Sequence, residues 1–430
     1  MAAALRRNVL LGFSQAAYQE EVIARRLFGR VQMVLNRPAA IRHVLVENPG
    51  NYRRTAAVTR LLGPLIGGGL FLAEGDDWKE QRRTVAPAFA PRTIPLLARR
   101  VAHTADALVR RLQTGPPGPV DLLETMQHLA LEIAGAAMFS LDMKECGLEM
   151  RTLLEGYAER LGRPTLLDFL LPEWIPSFRD LGRRRFRRRW LALIARIVAL
   201  RQARPQHLEP TDIFDLLATD PDTGAPLAPA RLADQVATMI AAGHATTAIA
   251  LFWALFVTAS APSVQERIAA EVASLDLGPE RAAAALPQLV YTRAVIHETL
   301  RLYPPALSIV RQARRPDNAA GVAIPRGAVV MMAPWVLHRH HRLWREPEAF
   351  DPTRFLAEAV PPARFAYLPF GAGPRVCIGA QFALTEAVLV LARMVQAFRI
   401  ERADDRIVKP VAAITIRPDS SPPFVLHRRD

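Results

Sequence analysis

The stretch FGAGPRVCIG, residues 370–379, holds one of only two cysteines in a chain of 430 residues. Apolar residues at helical spacing begin directly after it, so Cys377 is predicted to lie at the N-terminus of a helix, where unpaired N–H groups and the helix dipole stabilise a thiolate. The glycines let the preceding backbone turn sharply and admit a large group. Arg375 places a cation beside whatever the sulfur binds. This combination favours a metal held in a flat, anionic macrocycle.

Three other roles are open to Cys377. A zinc site would need three more ligands, and no Cys or His with suitable spacing lies nearby. A nucleophile needs a positioned base, which the sequence alone does not exclude. A buried structural position is the usual fate of a lone cysteine, but it would not call for such a glycine-rich frame.

The same stretch resembles the haem-binding loop of the cytochrome P450 family, whose pattern is F-x-x-G-x-R-x-C-x-G. Every specified position is matched, by Phe370, Gly373, Arg375, Cys377 and Gly379. The resemblance implies haem b as the cofactor and Cys377 as the axial ligand of its iron, a thiolate role known for this family. It also implies that Phe370 packs beside the sulfur and that Arg375 pairs with a haem propionate.

Two further segments resemble propionate-binding positions of the family. In EGDDWKEQRR, Trp78 and Arg82 stand four residues apart, a spacing that would otherwise indicate only an amphipathic surface helix. The resemblance implies that the Arg82 guanidinium and the Trp78 indole N–H both bind a propionate. Arg311, in SIVRQA, matches a further propionate-binding position.

A second motif of the family, E-x-x-R, is matched in HETLRLYPP by Glu298 and Arg301, which share one helix face. On their own they would form a surface pair of small energetic value. EPEAFDPTRF downstream resembles the segment that supplies a second arginine, here Arg354. The resemblance implies that these three residues form a buried structural network that serves folding and haem retention rather than chemistry.

Residues 236–264 include no Asp, Glu, Lys or Arg and are numerous enough to span a membrane. Polar residues in the first half are costly in lipid, so we expect a helix that runs through the core of a soluble protein. Within it, AGHATT resembles the oxygen-binding segment of the family. The resemblance implies catalytic roles for Ala242, Gly243 and Thr246, in which Gly243 permits a close approach and Thr246 donates a hydrogen bond to bound dioxygen.

This segment departs from the family at Ala245, where the pattern has Asp or Glu. That acid is associated with relaying protons to oxygen, and alanine does not titrate. His244 points about 100° around the helix from this position, so it is not a ready substitute. The departure keeps an alternative function open, namely the use of peroxide or ligand binding without efficient O2 turnover.

The resemblance covers nearly the whole chain and implies a haem-thiolate monooxygenase, which inserts one oxygen atom from O2 into a hydrophobic small molecule (a terpenoid, steroid or fatty-acid-like compound). The positions that match substrate-contact regions are small or aliphatic: Leu61, Leu62, Ile66, Ala241, Ala242, Ala306, Leu307, Ile309, Ala413 and Ile414.

LLDFLLPEWIPSF, residues 166–178, is interpreted as a lid over the access channel rather than a patch that touches a membrane.

No dinucleotide-binding fingerprint is visible, and only residues 378–430 follow Cys377, so we expect no fused reductase. Electrons are then expected from a separate ferredoxin or flavodoxin-type donor. The net charge of +14 favours an acidic donor. No docking motif for nucleic acid is present, so no nucleic-acid partner is expected.

The chain as a whole is predicted to form one domain, residues 1–430, of mainly α structure with a small β sheet (α+β). Helical spacing predicts helices over residues 98–113, 120–140, 186–203, 231–260, 263–274, 289–302 and 379–397. Short β-like runs predict strands over residues 31–35, 322–324, 328–332 and 414–416. The arginine run GRRRFRRRW, residues 182–190, is expected to form a solvated helix face.

Two cysteines are too few for a disulfide framework, which indicates a reducing compartment. The N-terminal apolar run is too short for a signal peptide or a membrane anchor. We therefore expect a cytoplasmic monomer without a transmembrane anchor.

Overall fold

The computed structural model describes residues 8–27, 29–141, 143, 146–165, 167–168, 175–204, 212–219, 224–412 and 415–429. Its α-helices are α1 (Pro38–Arg42), α2 (Ala56–Ile66), α3 (Gly75–Val85), α4 (Ile94–Thr114), α5 (Leu122–Phe139), α6 (Gly147–Gly156), α7 (Phe178–Gln202), α8 (Ile213–Leu217), α9 (Pro229–Ala259), α10 (Pro262–Val272), α11 (Ala282–Ala285), α12 (Val290–Leu302), α13 (Pro334–Leu337) and α14 (Ala380–Ala397). Single turns of 3-10 or π helix occupy several of the connections.

The strands form small sheets beside this helical body. They are β1 (Val22–Leu27), β2 (Arg30–Leu35), β3 (Tyr52–Arg53), β4 (Val120–Asp121), β5 (Ile309–Ala313), β6 (Asp317–Ala319), β7 (Val322–Ile324), β8 (Val329–Met332), β9 (Phe398–Arg402), β10 (Pro410–Ala412), β11 (Ile416–Pro418) and β12 (Pro423–Arg428). The largest sheet has the order β1-β2-β8-β5-β3, and a second has the order β4-β12-β9. Only β2 and β8 pair in parallel in the largest sheet. The expected α+β class is therefore confirmed.

The predicted helices are confirmed as α4, α5, α7, α9, α10, α12 and α14. The largest difference is at α7, which begins at Phe178 because Ser177 and Asp180 form a capping box before it. Three predicted strands are confirmed as β2, β7 and β8. The fourth strand, predicted over residues 414–416, is described only in part, because Ile414 lies outside the described residues. The strand observed there, β11, starts at Ile416.

The arginine run on α7 is only partly solvated, which corrects the expectation from the sequence. Arg183 is 2% exposed and contacts Asp168 at 2.7 Å and Asp180 at 3.0 Å. Arg187 contacts Asp234 of α9 at 2.6 Å. Buried Arg183 and half-buried Arg187 hold α7 to its neighbours because each has a carboxylate partner. The other arginines in the run are exposed: Arg184, Arg185, Arg188 and Arg189.

Helix α9 runs through the core, as the charge-free stretch from residue 236 onward predicts. It packs against α5, α14, α2, α7 and α12, and Phe252 and Trp253 are fully buried. The Trp253 ring stacks on Tyr303, with centroids 4.0 Å apart and planes 9° from parallel. Among the described residues, two helices, α9 and α14, are long and apolar enough to cross a membrane, and in each the most apolar window is 67% buried inside the fold.

Helix α14 follows Cys377 and packs against α4, α9 and α10. It carries Glu386, which is 3% exposed and whose Oε1 has no hydrogen-bond partner in the described part of the chain. Burial raises the pKa of this carboxyl group to about 8. Glu386 is therefore held as a neutral acid in the folded protein at neutral pH.

The replacement Glu386→Gln is expected to flatten the pH dependence of stability. The unfolded chain releases this proton near the ordinary carboxyl pKa, while the folded chain keeps it up to about pH 8. Between those values the folded protein binds more protons, so its free energy of unfolding falls by about 1.4 kcal/mol per pH unit as the pH rises. Urea unfolding at pH 5.5 and 7.5 measures this slope.

Glu280→Gln is the matched control, because Glu280 is an exposed residue that pairs with Arg99. The stability of the Glu386→Gln protein relative to wild type should rise with pH, while that of the control should not. If the free energies of unfolding of the two variants changed with pH in parallel, Glu386 would not be the buried acid that causes the slope.

Candidate active site

The loop before α14 holds Cys377 in a backbone frame that requires glycine at position 373. Gly373 has a φ of +73°, and a Cβ atom there would lie 2.0 Å from the carbonyl oxygen of Leu45. The Cys377 N–H donates to the carbonyl oxygen of Phe370 at 2.9 Å. The loop therefore closes on itself and presents the sulfur just before the first turn of α14.

The Cys377 sulfur is open to solvent yet enclosed by protein. The residue is exposed, but burial among neighbouring atoms raises the pKa of its thiol above the ordinary value, and an N–H of Gly379 and the Arg82 guanidinium oppose that rise. Burial prevails over the thiolate-stabilising effect expected from the sequence. A metal coordinated by this sulfur would deprotonate the thiol.

The surroundings of Cys377 do not fit the other roles left open by the sequence. Within the described ranges no group of three or more His, Cys, Asp or Glu side chains could hold a metal ion, which argues against zinc. The side chain that acts on the pKa of its thiol is Arg82, a cation that is not a base for nucleophilic catalysis. Its exposure argues against a packed structural cysteine.

One strip of α9 is open although most of the helix is buried. Ala242 is exposed, and Ala241, Ala245 and Thr246 are half-buried on the same face. The strip is apolar except for the Thr246 hydroxyl, which donates back to the Ala242 carbonyl oxygen. The fold thus leaves the surface of this strip accessible in the middle of a helix that is otherwise mostly buried.

The two residues between Ala242 and Ala245 point elsewhere. A Cβ atom at Gly243 would lie 3.1 Å from Cε of Met138 in α5, so the space left by the missing side chain is bounded by α5. His244 is 4% exposed, and its Nε2–H donates to the Gln127 carbonyl oxygen at 3.1 Å. Burial lowers the pKa of His244 to about 4, so it is a neutral side chain packed on α5.

Buried guanidinium groups outnumber carboxylates beside the cysteine loop. Arg375 donates to the Ala73 carbonyl oxygen at 2.9 Å and lies 3.2 Å from Glu74. Arg54 contacts the same carboxylate at 3.2 Å. Burial and the nearby Arg311 lower the pKa of Arg54 to about 9, and burial followed by Arg375 lowers that of Arg311 to about 10. A site with this surplus of desolvated cations suits a dianion such as the two propionates of haem.

Helix α3 brings Trp78 and Arg82 to the same loop. The Arg375 guanidinium lies over the Trp78 ring, 4.6 Å from its centroid. Arg82 Nη1 donates to the carbonyl oxygen of Val376 at 2.9 Å. The positions singled out in the sequence thus converge around Cys377 from α3, β5 and the cysteine loop itself.

Glu298 and Arg301 are fully buried and joined by two contacts of 2.7 Å. Arg354 adds a contact of 3.4 Å to Glu298. Arg301 also donates to three carbonyl oxygens, those of His338, Pro347 and Ala349. Glu298 faces the cations Arg301 and Arg354, but its burial has the larger effect and raises the pKa of its carboxyl group above the ordinary value.

The apolar positions assigned to a substrate pocket differ in accessibility. Ile66 and Leu307 are buried, whereas the other described positions keep accessible surface: Leu61, Leu62, Ala241, Ala242, Ala306 and Ile309. Ala413 and Ile414 lie outside the described residues, as does most of the segment 166–178 interpreted as a lid.

Arg54 and Glu74 were not found by sequence reasoning. Neither matches a motif, and Glu74 is one of several acidic residues near Trp78. Their meeting depends on the fold, because 20 residues separate them and 301 residues separate Glu74 from Arg375. The one local signal was the position of Glu74 as the residue directly before α3.

Comparisons with known proteins agree with this geometry. The family described as Cytochrome P450 matches residues 15–419. A cyclooctat-9-en-7-ol 5-monooxygenase of Streptomyces melanosporofaciens is 32% identical over 84% of this chain and 79% of the relative. Cytochrome P450 97B2, chloroplastic, of Glycine max is 30% identical over 86% of this chain and 74% of the relative. The crystal structure of a cytochrome P450DA mutant heme domain has a TM-score of 0.81 at 24% identity, covering 95% of this chain and 90% of that one.

The fold, the cysteine loop and these relatives define a haem-dependent monooxygenase, an oxidoreductase. The chain belongs to the cytochrome P450 family.

The replacement Arg54→Gln is expected to change apoprotein stability and haem retention in opposite directions. Without haem it removes one of several mutually repelling buried cations, which should raise the free energy of unfolding by on the order of 1 kcal/mol. With haem it removes a counter-charge, which should speed haem loss several-fold. Urea unfolding of the apoprotein and transfer of haem to apomyoglobin measure the two effects.

Arg188→Gln, an exposed residue on α7, makes the same change of charge far from the cysteine loop. This variant should change neither the free energy of unfolding of the apoprotein nor the rate of haem loss. A loss of stability in both the apo and haem-bound forms of Arg54→Gln would mean that Arg54 serves the fold alone.

Proposed function

We propose that this chain oxidises a hydrophobic small molecule of terpenoid, steroid or fatty-acid-like class, with one oxygen atom taken from O2 and electrons from a separate protein. The observation that carries the proposal is the open, apolar strip of α9, formed by Ala241, Ala242, Ala245 and Thr246. The strip offers methyl groups and one hydroxyl, and it has no charge that would anchor a polar substrate. Apolar walls with a few polar groups are typical of pockets for small hydrophobic ligands.

We assign the cofactor as haem b, which when bound supplies the oxygen-activating chemistry. Cys377 would hold the haem iron through its thiolate, with Phe370 and Gly379 shaping the loop around it. Arg82, Arg311 and Arg375, with the Trp78 indole, would hold the propionates. In support, these three arginines are half-buried, and the acid that contacts Arg375, Glu74, is already shared with Arg54.

Thr246 carries the one hydroxyl of the strip, and this hydroxyl can hold a proton. Its hydroxyl is engaged with the Ala242 carbonyl oxygen, so it must turn away from that partner to donate to a bound molecule. Ala245 offers no acid, and His244 is neutral and packed on α5. We infer that protons reach Thr246 through water in the pocket.

The remaining residues position the site rather than react. Glu298, Arg301 and Arg354 would keep the segment between α13 and the cysteine loop in place. The proposed pocket wall combines the apolar positions on α2, α9, β5 and the C-terminal region: Leu61, Leu62, Ile66, Ala241, Ala242, Ala306, Leu307, Ile309, Ala413 and Ile414.

The substrates named for the relatives differ from one another, so they indicate a class of compound rather than one compound. One is named for oxidising cyclooctat-9-en-7-ol, and another, from Sus scrofa, is named as a taurochenodeoxycholic 6 alpha-hydroxylase. The second is 30% identical over 83% of this chain and 75% of its own. We therefore propose a bulky hydrophobic substrate as a class.

We also propose a ferredoxin or flavodoxin-type donor that docks on the thiolate side, with the chain acting as a single domain and a cytoplasmic monomer. The net charge of +14 supports an acidic donor. A second candidate function, the use of peroxide or ligand binding without efficient O2 turnover, is favoured by one observation, the alanine at position 245.

Cys377→Ser is expected to abolish the red-shifted Soret band that the reduced carbonyl complex shows under thiolate ligation, because a serine hydroxyl is a poor replacement for the sulfur. A pyridine haemochrome assay on the wild-type protein tests haem b. Cys146→Ser, at the other cysteine, which is buried, should keep the band. A band that persists in Cys377→Ser would remove the thiolate assignment.

Turnover of a terpenoid or steroid panel tests the donor and the oxidant together. With an acidic ferredoxin and its reductase, substrate-dependent O2 uptake should fall about tenfold from low to high salt, since charge steers the encounter. A rate indifferent to salt would remove the electrostatic part. Faster product formation from hydrogen peroxide than from O2 and donor at every salt concentration would favour the second function.

A further inference from the structure

An arginine-lined depression lies at one end of the strands of the five-stranded sheet. It consists of two adjoining cavities of about 230 Å³ and 450 Å³ that share Gln312, Arg326 and Gly327. We call it the sheet cleft and define it by its polar side chains: Arg26, Arg30, Arg53, Gln312, Arg314 and Arg326.

The sheet topology brings these arginines together from separate parts of the chain. Arg26 and Arg30 stand at the ends of β1 and β2, which form a hairpin. Arg53 of β3 pairs with Gln312 of β5. Arg326 lies in the turn between β7 and β8, and β8 is the strand that joins β2 to β5. The convergence is therefore fixed by strand pairing and not by one flexible segment.

The charges of the sheet cleft are largely uncompensated. No Asp or Glu lines either cavity. Arg26, Arg30 and Arg326 are exposed, and among the described residues none of the three forms an ion pair. Arg314 has its one described carboxylate contact at 3.8 Å, to Glu74, which Arg54 and Arg375 also share.

Gln312 provides a fixed polar group at the centre of the sheet cleft. Its Oε1 accepts from Arg53 Nε at 3.3 Å, and its Nε2 donates to the Gly327 carbonyl oxygen at 3.3 Å. The side chain is thus tied to both β3 and the β7–β8 turn. This arrangement ties the Arg53 side chain to β5 through Gln312.

A concave surface of one charge focuses its field and concentrates counter-ions more than a convex one does. Guanidinium groups bind both phosphate and carboxylate oxygens in paired hydrogen bonds. A phosphate group carries more charge than a carboxylate, so a cluster of several cations attracts it more strongly. The two cavities leave space for more than one phosphate group. We propose that the sheet cleft is a binding site for a phosphate-type oxyanion, separate from the haem pocket.

Isothermal titration of the haem-bound protein with inorganic pyrophosphate, in a buffer free of phosphate, tests the proposal. Wild type should give a saturable isotherm. The double variant Arg30→Gln/Arg326→Gln should weaken binding at least about tenfold, because both residues line the larger cavity. The Soret spectrum should be unchanged, since neither residue belongs to the cysteine loop.

The matched control is Arg184→Gln/Arg188→Gln on the outer face of α7, which changes the net charge equally at exposed positions. It should bind pyrophosphate as wild type does. Equal weakening in both double variants would show attraction to the overall charge of the protein and would overturn the site. The absence of a saturable isotherm in wild type would overturn it as well.

Vesicle sedimentation distinguishes the source of the phosphate. Binding to phosphatidylcholine vesicles that contain phosphatidic acid, abolished both by pyrophosphate and by Arg30→Gln/Arg326→Gln, would assign a lipid headgroup. Saturable pyrophosphate binding without sedimentation would assign a soluble phosphate compound. Sedimentation that persists in that double variant, with no pyrophosphate isotherm, would contradict the proposal.

Discussion

The fully buried pair of Glu298 and Arg301 is the constraint on which the rest of the site depends. All the hydrogen-bonding directions of the Arg301 guanidinium are used, on one carboxylate and three carbonyl oxygens from the segment 338–349. Glu298 in turn accepts the Asp351 N–H at 2.9 Å. Removal of one partner of such a pair leaves a desolvated charge and costs about 3–5 kcal/mol. The pair therefore fixes a stretch of chain that has little regular structure of its own.

His338 carries that constraint to the cysteine loop. Burial lowers the pKa of His338 to about 3, so the ring is neutral and can donate from one nitrogen and accept at the other. Its Nδ1–H donates to the Arg301 carbonyl oxygen at 3.3 Å, and its Nε2 accepts the Leu368 N–H at 2.8 Å. Leu368 lies two residues before Phe370, whose carbonyl oxygen receives the Cys377 N–H. Hydrogen bonds and the short segment 368–370 thus connect α12 to the backbone of Cys377.

The features that could be predicted from the sequence are those whose signal is local. The long helices follow from apolar spacing within one segment, and the cysteine loop follows from ten consecutive residues. Arg183 and Arg184 are adjacent and identical in type, yet one is buried and the other is exposed. The difference arises from Asp168, 15 residues away, and from the way α7 lies on the fold. The roles of Arg54 and Glu74 could not be predicted for the same reason. Their partners are distant in sequence, and no apolar periodicity marks these two positions.

The distribution of charge around Glu74 has a consequence for how the cysteine loop is held. This carboxylate is 35% exposed and is shared by Arg54 and Arg375 inside and by Arg314 outside. Water can stabilise its charge, so it needs no single partner, whereas the enclosed arginines depend on whatever anion is near them. The inner cations are thus balanced only in part by protein groups. An anionic cofactor completes the balance, which makes its binding and the local order of α3, β5 and the cysteine loop mutually dependent.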